Sequence, residues 1–269
     1  MVGSRKGILS ALGLAVLASV PVFLARAQEK PAEPPPPAVR RPAPGRPPVE
    51  IVVGTADGTA TPTVSGCSGH AGGGNIYVTR IDPTMVVVTM TGLAVAKGDS
   101  IFHGSSAGYQ FNHSQWFEVV FNSPDVKSAK LSLEALALGR LRTHCECQKC
   151  GKGAATAQIT TPGSATLLNE STEVVSVHLP SREACCCDSE TVHNREGPAS
   201  ASITAGKYTL HSTFGFAASA PSSFLNRFAA ADFSPEWVLD LRQFGFPEPF
   251  LAYGNKDFGF TITLRVVPE

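Results

Sequence analysis

Six of the seven cysteines fall in two short stretches, Cys145, Cys147 and Cys150, then Cys185, Cys186 and Cys187. Sulfur at this density either oxidises to disulfides or, as thiolate, holds a soft metal such as zinc or copper(I). Side chains alternate along an extended chain, so Cys145 and Cys147 share a face, as do Cys185 and Cys187. Two antiparallel segments can then be stapled by two bridges, with Cys150 and Cys186 as the third pair. Each bridge would close a loop of roughly 40 residues, which chain entropy values at roughly 4 kcal/mol, although bridges sharing a loop do not add. The metal alternative draws on His144, Cys145, Cys147, Cys150, Cys185 and Cys187. Its C-x-C-x-x-C spacing lacks the second C-x-x-C of a zinc pattern. Either chemistry requires the two clusters to be neighbours. Cys67 is left over, and the C-x-x-C of Cys147 and Cys150 stands outside any βαβ pattern that would make it a redox motif.

The choice between sulfur chemistries turns on compartment. Arg5 and Lys6 form a basic start, Ile8 to Leu24 an uncharged apolar stretch, and Ala25-Arg26-Ala27 a small-residue processing site. Residues 1–27 therefore read as a cleaved signal peptide of bacterial Sec type, with the mature chain starting at Gln28. Export to the periplasm, the cell surface or the medium favours disulfides among the six clustered cysteines. No cofactor is then required, zinc or copper remaining the alternative. No later stretch approaches the roughly 18 apolar residues of a spanning helix, so no transmembrane segment is expected after cleavage.

A third chemistry is nucleophilic. Gly104-Ser105-Ser106-Ala107-Gly108 matches G-x-S-x-G, the turn in which a hydrolase presents its serine between a strand and a helix. Ile101 to His103 supply a short strand, but Tyr109 to Phe121 reads as loop and strand rather than helix. Asp240 with His211 falls in the wrong chain order for that fold, whereas Asp188 with His193 or His211 restores it beside the cysteine-rich region. A hairpin turn is the plainer reading of the motif. His70, His103 and His113 are a further candidate metal set if they converge in space, and the glycine-rich Gly66 to Gly74 lacks the features of a phosphate loop.

The elements that must position these residues are strands. In Lys207 to Phe216, Tyr208, Leu210, Phe214 and Phe216 face one way, with Lys207, Thr209, His211 and Thr213 opposite. Phe258, Phe260, Ile262, Leu264 and Val266 repeat the pattern near the C-terminus. Ile51 to Val53, Ile76 to Ile81, Met85 to Met90, Trp116 to Phe121 and Glu173 to Leu179 are further strand candidates between turn residues. Ser128 to Leu141 carries leucine and alanine on both parities and reads as a long, doubly buried strand in preference to a helix. Phe224 to Phe250, with its aromatics between prolines, predicts short helical turns over a sheet edge.

Half of the residues from Pro31 to Pro48 are proline, an extended spacer without a core, so residues 28–48 form a disordered linker. Residues 49–269 make a single all-β domain, an antiparallel β-sandwich of Ig-like or jelly-roll-like type, with a cysteine-clustered loop region at 144–187 and Gly151 to Ala184 as its loop. The precursor has 22 basic and 22 acidic residues, and the mature chain carries about −3. No basic patch interleaved with aromatics invites nucleic acid. The expected function is thus a non-catalytic structural or binding module of the cell envelope or extracellular space, with an envelope component or a protein as partner. A cysteine-centred zinc or copper protein, and a serine hydrolase using Ser106, are the alternatives.

Overall fold

Alternation of apolar and polar residues builds two antiparallel sheets. The structure is a computed structural model that describes residues 45–98, 102–145, 154–185, 188–222, 226–235 and 256–269. The strands are β1 (Val49–Ser65), β2 (Gly69–Asp82), β3 (Met85–Gly98), β4 (Ser105–Phe121), β5 (Ala129–Cys145) and β6 (Thr156–Asn169). They continue with β7 (Thr172–His178), β8 (Glu183–Cys185), β9 (Ser189–Ile203), β10 (Gly206–Ala220), β11 (Arg227–Phe233) and β12 (Gly259–Pro268). One sheet runs β1-β4-β10-β6-β7, with β8 beside β6. In the other, β3 and β5 flank both β11 and β12, with β2 outside β3 and β9 outside β5.

β11 and β12 occupy one lane end to end. Ala231 of β11 lies between Ala94 and Leu141, and Phe260 of β12 between Met90 and Ala137. Cross-strand pairing on both sides leaves no edge in this lane, so every inward residue is covered. The core between the sheets is aromatic at its centre. Phe214 of β10 stacks on Phe260 at 4.9 Å and meets Phe233 edge-on at 5.0 Å, so rings from both sheets interdigitate. Gly163 of β6 makes room for this cluster, since a Cβ there would stand 2.6 Å from Phe260 Cε2.

The two strands with the strictest alternation hold their expected register. Tyr208, Leu210, Phe214 and Phe216 are buried, as are Phe258, Phe260, Ile262, Leu264 and Val266, while Lys207, His211 and Arg265 are exposed. Ser128 to Leu141 is strand rather than helix, lying within β5. Its odd-numbered residues are fully buried and its even-numbered ones half-covered, or exposed at Lys130, so burial is one-sided rather than double.

Two expectations are corrected. No helix occurs among the described residues, and the described part of Phe224 to Phe250 contains β11, because Phe228, Ala230 and Asp232 alternate against Ala229, Ala231 and Phe233 between two partner strands. Phe224, Leu225 and 236–250 lie outside the described residues. The described part of Gly151 to Ala184, residues 154–184, is not a loop either. It carries β6, β7 and most of β8, whose inward Ala157, Ile159, Ala165 and Leu167 are too small and too interrupted by Pro162 and Gly163 to announce a strand.

Candidate functional site

The sequence-level sites fall at three separate places. At the cysteines, β5 and β9 run antiparallel, and the Thr143 N–H donates to Asp188 O at 2.8 Å while the Asp188 N–H donates to Thr143 Oγ1 at 3.2 Å. The end of β5, where the first cluster begins, therefore lies beside the chain that leaves the second cluster. Cys185 pairs with Thr156 at the rim of the other sheet. Cys147, Cys150, Cys186 and Cys187 lie outside the described residues. His144 is exposed on β5 with its ring 6.1 Å from Phe228, and Cys67 is an exposed free thiol in the turn after β1.

Ser106 does not stand on a turn. It is the second residue of β4, paired with Ser65 on one side and Ser219 on the other, and the chain continues as strand to Phe121. The strand-turn-helix geometry of a nucleophile elbow is thus replaced by a sheet interior, and no histidine pairs across from it. The proposed partners are dispersed: His211 is on β10, His193 on β9 and Asp188 before β9, while Asp240 lies outside the described residues. His70 on β2, His103 before β4 and His113 on β4 do not converge, and no group of three or more His, Cys, Asp or Glu suited to a metal occurs among the described residues.

What the sheet does assemble is a polar groove across β1, β4 and β10. Pairing sets Asp57 opposite Ser114 and Ser114 opposite His211, and in the next outward row Thr59 opposite Asn112 and Asn112 opposite Thr213. Between these rows runs a groove of about 270 Å³ over the backbone of Gly58, His113 and Ser212. Its walls are uncharged except for Asp57 and the titratable His211. Across from it, facing the core, the His113 Nδ1 lies 3.3 Å from Ser212 Oγ, while the His113 Nε2 is buried without a hydrogen-bond partner. Desolvation, and secondarily the proximity of His211, hold the His113 pKa below its ordinary value, so the ring is neutral at neutral pH.

Trp116 lies one outward position beyond Ser114. Its indole rests over Gly54, where a Cβ would approach Cε2 to 2.0 Å, and its Nε1 donates to Thr55 Oγ1 at 2.6 Å. The register shift between Val53 and Ala56 creates the space this ring occupies. Lys207 Nζ sits 5.5 Å from the ring centroid, and 38% of the residue remains exposed. The result is a flat apolar plate fixed beside a polar trough.

A second buried polar group lies in the other sheet. Asp232 of β11 accepts from the Ser234 N–H at 3.1 Å and from its hydroxyl at 3.0 Å, with Arg142 and Arg140 close enough to act on its charge. Burial outweighs those contacts and raises its pKa.

Sequence reasoning marked His211 as an outward residue and passed over Asp57, Asn112, Ser114 and Trp116 as a set. Their shared signal was polarity at outward positions, but only the order β1-β4-β10 makes them neighbours. Comparison with known proteins finds no matching family, no matching curated protein and no matching solved structure.

Proposed function

We propose that this chain is an exported, non-catalytic binding module that presents its ligand site on the outer face of the sheet β1-β4-β10-β6-β7. The observation that carries the reading is the groove between Asp57-Ser114-His211 and Thr59-Asn112-Thr213, held on the paired strands β1, β4 and β10. Polar side chains on rigid strands that make no hydrogen bond of their own are available to a ligand, and Asp57, Asn112, Ser114 and His211 are in that condition among the described residues. Export rests on the signal-like residues 1–27 and the linker on the prolines of 28–48. Among the described residues no helix is long and apolar enough to cross a membrane.

Export to an oxidising compartment supports stapling over thiolate metal ligation for the cysteine clusters. Repeated crossing of the chain from one sheet to the other favours a jelly-roll-like winding over an Ig-like one.

The test is retention of the purified mature chain on envelope material from the source cells, measured as depletion from the supernatant. Asp57→Ala combined with His211→Ala should abolish retention, and Tyr77→Ser, an exposed position on the other sheet, should leave it intact. Equal retention of the groove variant and the wild type would remove this face as the site.

A further inference from the structure

We infer that the groove takes a neutral, hydroxyl-rich ligand, a glycan of two or more pyranose units, with Trp116 as the plate on which one sugar ring stacks. This rests on the groove being the binding site, and it names the ligand class. The chemistry of the lining excludes the alternatives in turn. One carboxylate, Asp57, and one outward imidazole, His211, line the groove, the second imidazole, His113, being turned to the core, and together they are too few ligands for a bound cation. Neither arginine nor lysine lines it, so a phosphate or sulfate group would meet the Asp57 charge with no cation to offset it. An apolar ligand would strand the amide and hydroxyl groups of Asn112, Ser114, Thr59 and Thr213 against hydrocarbon.

A sugar satisfies both halves of the site. Its hydroxyls donate to the Asp57 carboxylate and exchange hydrogen bonds with Asn112 and His211, each of which offers both a donor and an acceptor. Its C–H face covers an indole, which is apolar on the face and polar only at the N–H already bonded to Thr55. The groove spans β1 to β10, two interstrand gaps or roughly 10 Å, a length that suits a disaccharide. Trp116 stands in the next outward row along β4, beside the trough rather than in it, so a sugar seated in the trough that extends across the Ser114 row places its neighbour over the indole. Lys207, an exposed side chain over that indole, rotates aside to open the ring.

The test uses the mature chain in native affinity gels cast with neutral polysaccharides, a β-1,4-glucan, a xylan, a mannan and an α-1,4-glucan, beside an anionic polygalacturonate. At least one neutral polymer should retard the protein. Trp116→Ala should weaken that binding by about tenfold or more, as expected for the loss of one aromatic stacking contact and its buried area. Gly54→Ala, which forces the indole off its seat without removing it, should do the same, and a thermal melt of each variant distinguishes this from unfolding. Retardation by none of the neutral polymers, retardation by polygalacturonate alone, or unchanged binding in folded Trp116→Ala would each overturn the glycan assignment. If the assignment falls while Asp57→Ala/His211→Ala still abolishes envelope retention, the module reading stands with another ligand. If retention is also unaffected, both fall.

Discussion

His113 is an imidazole placed where hydrocarbon would pack more cheaply, facing the core between Phe111 and Phe117 along β4. Its folded pKa lies below the ordinary 6.5, so the unfolded chain binds the proton more readily than the folded one. Stability from this residue is complete above pH 6.5 and is lost as pH falls through the depressed folded value. His113→Gln should therefore give a shallower decline of the melting temperature on acidification from pH 6.5 than the wild type, and parallel curves would show that His113 carries none of the slope. The same residue explains why β4 was half hidden in the sequence. His113 and Gln115 stand at inward positions, so the apolar alternation is readable at Phe117 and Val119 and disappears just before them. A G-x-S-x-G spelling at the start of the strand then had no strand around it to contradict a turn.

At the scale of elements, legibility follows one-sided burial. β12 presents an unbroken apolar face to the core and β10 one interrupted only at Ser212, each with a polar face outward, which is why their register could be set residue by residue. Phe214→Ala or Ile262→Ala should cost roughly 2–5 kcal/mol in denaturant melts, the range for large-to-small changes in a packed core. Thr209→Ser and Thr263→Ser, on the half-covered opposite faces, should stay within about 0.5 kcal/mol. A reversal of the sensitive and tolerant sets would mean that each strand is rotated by one residue. The strands that escaped notice are those without such a face. The second half of β1, from Thr55 to Ser65, is exposed on nearly every residue, β9 is mostly polar, and β6 buries two alanines and a glycine beside only two larger residues, Ile159 and Leu167. Period-two patterning is absent wherever a strand has little to bury, so hydrogen bonding to a neighbour, which local sequence does not encode, decides those segments.

For the whole molecule, the two-layer all-β architecture was legible from strand count and turn spacing, whereas the groove was not, because β1, β4 and β10 are far apart in sequence and meet only through topology. The neighbouring of the cysteine segments followed from sulfur chemistry alone, and the Thr143–Asp188 hydrogen bonds place their described flanks side by side. Non-reducing mass mapping of the mature protein should join the peptide holding Cys145, Cys147 and Cys150 to that holding Cys185, Cys186 and Cys187, leaving Cys67 as the one titratable thiol. Seven titratable thiols, or stoichiometric zinc or copper released by a chelator, would replace the stapled framework with a metal site. The lane that β11 and β12 share carries a consequence for assembly order. A nascent chain that has reached only the end of β10 owns every strand of one sheet, yet its other sheet is split down the middle, and Phe214 and Phe216 have neither Phe233 nor Phe260 to cover them. The pairings that close this gap link β3 to residues 259–268, among the most distant contacts in the chain, so ring closure comes late. Until then the rings of β10 stand uncovered, and native packing of the core waits for the last strand to arrive.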